Sequence, residues 1–224
     1  NTWFSLIDSS ANGYGMVSSI TRPIDINDDG KWALAFRQFV SDNNTHGQLG
    51  TAVSNNGEQW IIYNNLNNCV GWEGQGGCQS GRYPSAIATH DYPYIIWNEY
   101  TAATAGWPAD CSNYGGRPYY SYDEFGFMGG SWMEAIDIDP FWDCTQDFWE
   151  GSVGHGIDTD EVHVSTVFND WSRNGNYLFT SESVIGGYIL FNQEVLIIDY
   201  QHLGTAGYST ETTLSMNDSG QGIL

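Results

Sequence analysis

One plan recurs along the chain, and it limits the fold more than any single motif does. An apolar run enters an Asp/Gly-rich turn, a hydrophobic run follows, and a third run ends in a polar turn closed by Gly and an aromatic. The first copy reads Arg22-Pro23-Ile24-Asp25-Ile26, turns at Asn27-Asp28-Asp29-Gly30 and continues from Lys31 to Phe39. After a polar loop it reaches Leu49 to Ser54 and Asn55-Asn56-Gly57-Glu58-Gln59-Trp60. The second runs from Tyr83 to Ala88, turns at His90-Asp91, and takes up Tyr94 to Tyr100, Arg117 to Asp123, Gly126 and Trp132. The third begins near Gly156-Ile157-Asp158, with strands at Val162 to Phe168 and Tyr177 to Ser181. Tyr208 to Ser215, before Asn217-Asp218-Ser219-Gly220, opens a fourth. The runs are short, β-branched or aromatic, and bounded by turn residues, which makes them strands. None holds the i, i+3, i+4, i+7 spacing for three turns, so helices should be few.

A four-stranded unit recurring about every sixty residues predicts an all-β chain of antiparallel β-propeller blades. The expected blades are 16–63, 81–135 and 153–200, with a further one starting at 205–224, all in a single partial domain spanning 1–224. A β-sandwich is the alternative, since it shows the same short strands. Aromatics at 15% with 27 glycines suit pleated surfaces joined by tight turns. The chain starts at Asn1 rather than Met and stops at Ile223-Leu224, so it reads as part of a longer chain or assembly. A net charge of −21 repels phosphate backbones and argues against nucleic acid as a partner. No run reaches the roughly 18 apolar residues of a membrane helix, so membrane insertion is not expected.

Four cysteines, Cys69, Cys78, Cys111 and Cys144, permit three pairings. Cys69 and Cys78 bracket a Gly-rich loop and make a natural local staple, leaving Cys111 with Cys144; four reduced, buried thiols are the alternative. Disulfides in such loops imply an oxidising, extracellular setting.

The segment Val53 to Trp60 resembles an Asp-box (BNR-like) repeat, with Asn55 in the place of the Asp and Gly57 and Trp60 matching. Ser121-Tyr122-Asp123 with Gly126 and Trp132 is a looser echo. By that resemblance the boxes are structural: the Asp or Asn holds a hairpin turn and the aromatic packs beneath the sheet. Arg22-Pro23 and Asp29 to Phe36 also resemble the opening of sialidase-like propellers. The resemblance implies that Arg22 binds a carboxylate and that Asp42 stands for the acid. Arg37 follows Phe36 directly, where that family places its next Arg several residues on, and neither an arginine triad nor a Tyr/Glu nucleophile pair is recognisable.

Asp25, Asn27 and Asp29 match the opening of a Ca²⁺ loop, although Ala33 and Phe36 give no later carboxylate, and a plain hairpin explains the same residues. Asp158 and Asp160, with Asp137 and Asp139 upstream, form the densest acidic patch and a second Ca²⁺ candidate; no other cofactor is expected. Glu99 ends an apolar strand and, with Asp123, could supply the two carboxyls of glycoside hydrolysis. Trp142 and Trp149 in one long loop, with Trp72 and Trp107 in two others, would make an aromatic surface for a glycan or protein if the loops share a rim; loop aromatics tucked against the blade are the alternative. Five histidines are scattered without a Ser or Cys partner. The sequence therefore predicts a secreted or cell-surface, non-catalytic module for adhesion, scaffolding or ligand binding. The alternatives are a sialidase-like glycoside hydrolase and a subunit of an extracellular assembly or filament.

Overall fold

A computed structural model of the chain describes residues 4–8, 21–38, 47–68, 80–101, 115–143, 145–158, 161–201 and 212–224, apart from the side chains of Ser80, Tyr100, Thr101 and Asp158. Asp42, Cys69, Trp72, Cys78, Trp107, Cys111, Cys144 and Asp160 lie outside the described residues, as does the Asp158 side chain.

The described residues are nearly all β, arranged as successive antiparallel meanders. Sheet one holds β1 (Ile24–Ile26), β2 (Trp32–Arg37), β3 (Leu49–Ser54) and β4 (Ile61–Tyr63) in chain order. Sheet two holds β5 (Ser80–Ala88), β6 (Pro93–Thr101), β7 (Gly115–Tyr122) and β8 (Ile136–Asp137). Sheet three holds β9 (Phe148–Asp158), β10 (Glu161–Asp170) and β11 (Gly175–Ile185). Its fourth position is shared by β12 (Tyr188–Phe191) and β13 (Val195–Asp199), which pair with different halves of β11. The hairpin β14 (Ser215–Met216) and β15 (Gly222–Ile223) starts a fourth sheet. A single 3-10 turn, Gly126–Met128, is the only helix among the described residues, and no helix there is long and apolar enough to cross a membrane.

The sheets are propeller blades because their first strands gather along one line. β1 packs on β5, β5 on β9, and β9 on β14. Sheet two is consequently covered on both faces, which is why Tyr94-Ile95-Ile96-Trp97 is apolar without alternation. Ala86, Ala88, Ile95, Trp97 and Tyr119 face sheet one, against Ala33, Ala35, Leu49 and Val53. Ile87, Tyr94, Ile96, Tyr120 and Tyr122 face sheet three, against Phe148, Val153, Val164, Phe168 and Phe179. Alanines fill the narrow part of the first seam, near the line of first strands, and Trp97 and Tyr119 fill its wider part. That taper lets flat sheets radiate from one axis.

The turns explain where the strands stop. Asn27 accepts from the Gly30 N–H at its carbonyl and from the Lys31 N–H at Oδ1, and its own N–H donates to the Lys31 carbonyl. Asn217 repeats all three bonds with Gly220 and Gln221. Gly30 and Gly220 sit at φ 73° and 69°, where a side chain is strained. In the β3–β4 turn the structure corrects the expected position: Asn56, not Asn55, receives the Glu58 and Gln59 amides at Oδ1, and Ser54 Oγ receives those of Asn56 and Gly57. Asn55 instead donates to the Phe127 carbonyl across to sheet two. Trp60 meets Trp32 edge-on at 6.1 Å.

The third sheet begins earlier than the predicted 153. Phe148 and Trp149, read from sequence as loop aromatics, open β9. Its Gly-Ser-Val-Gly-His-Gly stretch conceals the strand because three glycines replace the expected apolar residues.

Blade spacing is tight enough to test. A Cβ on Gly116 would lie 2.1 Å from the Phe148 carbonyl oxygen, which is backbone and cannot swing away. Gly116→Ala should cost about 1–3 kcal/mol as an overpacking substitution, read as a lowered denaturant midpoint. Gly130→Ala, where a Cβ meets nothing within 4 Å but φ is 94°, separates backbone strain from crowding.

Candidate functional site

Residues of all four sheets line one cavity of about 160 Å³. Sheet one contributes Ile26, Asn27, Asp28 and Asp29, and sheet two Ala88 and His90. Sheet three adds His155, Gly156 and Ile157, and the fourth hairpin adds Asp218. Carboxylates, two imidazoles and an amide thus surround a lining that keeps isoleucine on two sides.

Below the cavity, Asp25 ties three sheets together. His155 Nε2 lies 2.7 Å from Asp25 Oδ2, and the Ala88 N–H donates to the same oxygen at 2.8 Å. An ionised carboxylate only accepts, so Nε2 carries the proton in this pair. The other ring nitrogen, Nδ1, is buried and finds no hydrogen-bond partner among the described residues. Arg22 Nη1 approaches Asp25 Oδ1 at 3.9 Å. Burial pushes the Asp25 carboxyl up, but the bonds from His155 and Ala88 and the charges of His155 and Arg22 together hold it below its ordinary value. The carboxylate beside Arg22 is thus that of Asp25, three residues on in the same segment.

The remaining sequence candidates fall elsewhere. Asn27 is spent on its turn and on the Thr89 carbonyl, and Asp29 meets Lys31 and His90, each at 3.2 Å. With Asp25 held by His155, these three side chains serve different partners and do not form a Ca²⁺ loop. No group of three or more His, Cys, Asp or Glu converges on a metal position among the described residues.

Asp123 is fully buried and holds the turn after β7, accepting from the Phe125 and Ser131 amides. Glu99 lies at the far end of the same sheet. Asp123 follows the Tyr94–Tyr122 pair, and Glu99 lies five positions past Tyr94 in the opposite direction. At 3.3–3.4 Å per residue the two are about 20 Å apart, well beyond the ~10 Å limit of either glycosidase geometry. They do not form a catalytic pair.

Trp142 and Trp149 are 8% and 4% exposed, so neither offers a face to a ligand. Each indole N–H is used inside, Trp142 donating to the Gly116 carbonyl and Trp149 to Asp147. Arg117 lies 5.6 Å over the Trp142 ring. The long loop is a packed element, with Asp139 accepting from Phe141 and Gln146. Of its aromatics, Phe141 is the exposed one, at 74%.

Sequence reading missed the pairing of Asp25 with His155, 130 residues apart. It also missed that His90 and Asp218 line one cavity. The matching Asn27 and Asn217 turns carried the only signal, since equal turns in equal places put their flanks around a common axis.

No protein-family model matches the chain, and no curated protein matches it. Among solved structures it is similar to a thermostable family-43 glycoside hydrolase, at 14% identity and TM-score 0.42, over 88% of this chain and 60% of that one. It is also similar to a family 117 glycoside hydrolase produced by the marine bacterium Zobellia galactanivorans, at 14% identity and TM-score 0.41, over 82% and 58%. The chain thus spans 60% or less of the length of these two structures.

Two titrations report on this architecture. The depressed Asp25 carboxyl stabilises the fold above its unfolded value, and that contribution fades as pH falls through the lower folded value. Asp25→Asn should lose about 1.5–3 kcal/mol at pH 7, the scale of a hydrogen bond to a charged group, with the gap to wild type narrowing at pH 2 in guanidinium titrations.

Glu99 behaves oppositely. Burial pushes it from an ordinary 4.5 up to about 8, against the hydrogen bonds from Trp97 and Asn67. The folded state keeps this proton where the unfolded chain has lost it, so stability from this group declines as pH rises from 4.5 through about 8. Glu99→Gln, which mimics the protonated form, should show a flatter dependence of urea midpoint on pH between 5 and 9 than wild type.

Proposed function

We propose that the chain is a glycan-binding propeller module of an extracellular or cell-surface protein, acting in adhesion or scaffolding without catalysing a reaction. The observation that carries this reading is the cavity lined by residues of four successive sheets. Its chemistry suits a polyhydroxylated ligand. The exposed carboxylates of Asp28 and Asp218 accept from hydroxyls, and Ile26 and Ile157 meet the C–H face of a ring. The separation of Glu99 from Asp123 favours binding over hydrolysis. Kinship with Asp-box propellers belongs to the same proposal, supported by Gly57 at φ 73° and by Trp60 packed on Trp32. The extracellular assignment rests on the pattern of cysteine usage.

The test is an immobilised panel of neutral and acidic oligosaccharides. Neutral glycans should bind and acidic ones should be repelled by the cavity carboxylates. Asp28→Ala with Asp218→Ala, both exposed lining residues, should weaken binding about tenfold, the loss of one or two hydrogen bonds to charged groups. Absence of any glycan binding by the wild-type chain would sink the proposal. Glycan cleavage that disappears in Asp25→Asn would turn it into a hydrolase.

A further inference from the structure

A second recess, of about 440 Å³, opens in the seam between sheets two and three, next to the axial cavity, with Val162 paired to Ile157 and Asp91 following His90. We infer that it receives the side chain of a lysine presented by a basic segment of a partner protein. Its walls match the two parts of that side chain. Val162 and Val184 are partly buried against the main core and give an apolar lining, beside Tyr92, whose ring meets Tyr122 edge-on at 5.9 Å. Asp91 comes from sheet two and Glu161 from sheet three, so carboxylates stand on both sides. An alkylammonium buries its stem on apolar surface and keeps its charged head among carboxylates and aromatic rings.

Gly187, at φ 88°, lies close against the Tyr122 ring, where a Cβ would be 2.4 Å away, so main chain at Gly186 and Gly187 forms one part of the wall. Among the described residues, no lysine or arginine lines it. The His90 ring lies beside one wall, with Nδ1 2.8 Å from Asp91 Oδ1. A net charge of −21 steers a basic partner toward the whole molecule, and the paired walls select where it docks.

The experiment titrates the full chain with tetralysine, and with the same peptide acetylated at every Nζ, by calorimetry at low salt. Wild type should bind tetralysine and not the acetylated form. Asp91→Asn with Glu161→Gln should weaken binding at least about tenfold, and the matched pair Glu58→Gln with Glu134→Gln, exposed acids outside the recess, by less than about twofold. Equal weakening by both pairs would mean diffuse charge attraction and would overturn the site. So would tight binding of the acetylated peptide, or no binding of tetralysine by wild type. A hexose bound in the recess by wild type and equally by Asp91→Asn with Glu161→Gln would reassign it to a neutral sugar.

Discussion

Close contact between the first strands of neighbouring sheets is the condition on which everything else rests. Small residues line those seams, Ala33 and Ala35 of β2 against Ala86 and Ala88 of β5, and Gly154 and Gly156 of β9 toward β14, so that β1, β5, β9 and β14 lie in succession. The larger rings then have only one place to go, outward along each blade, where Trp97, Tyr119 and Tyr120 fill the widening gap. Burial of apolar surface on both faces of sheet two follows from that spacing, and so does the meeting of residues from four sheets around one cavity. A side chain that forced two first strands apart would loosen the core and open the cavity together.

The strands were legible in the sequence because most are short apolar runs between turn residues, and the Asn27 and Asn217 turns advertise themselves by composition. Register within a turn was less so. The Val53–Trp60 segment offers two adjacent asparagines, and only geometry shows that Asn56 caps the turn while Asn55 reaches across to the next sheet. β9 was hidden in part because glycine carries no alternation signal. The candidate site was hidden for a different reason. Asp25 and His155 meet only through the curvature of the whole array, a sum of seam widths that no local pattern records. Trp142 and Trp149 misled because an aromatic beside acids and amides reads the same whether it faces water or, as here, donates its indole N–H to an internal acceptor.

Acidity in this chain divides into two kinds of carboxylate. One kind is structural: Asp123, Asp139 and Asp147 each accept backbone N–H groups at turns and strand ends, as helix-poor proteins must do to satisfy buried amides. The other kind faces the axial cavity and the seam, where Asp28, Asp218, Asp91 and Glu161 lie beside open space. With one lysine and five arginines in the sequence, few carboxylates can be neutralised from within, so those at the surface are left to whatever arrives from solution.

Sheet three ends in two short strands, because the run from Tyr188 to Asp199 is broken at Asn192, where side chain and backbone both turn back to Thr180. A continuous outer strand would offer an unbroken row of amides and carbonyls to another molecule, and Leu190, Val195 and Leu196 are exposed along it. The interruption divides that row into a four-residue and a five-residue strand, and shortened edges of this kind discourage edge-to-edge growth.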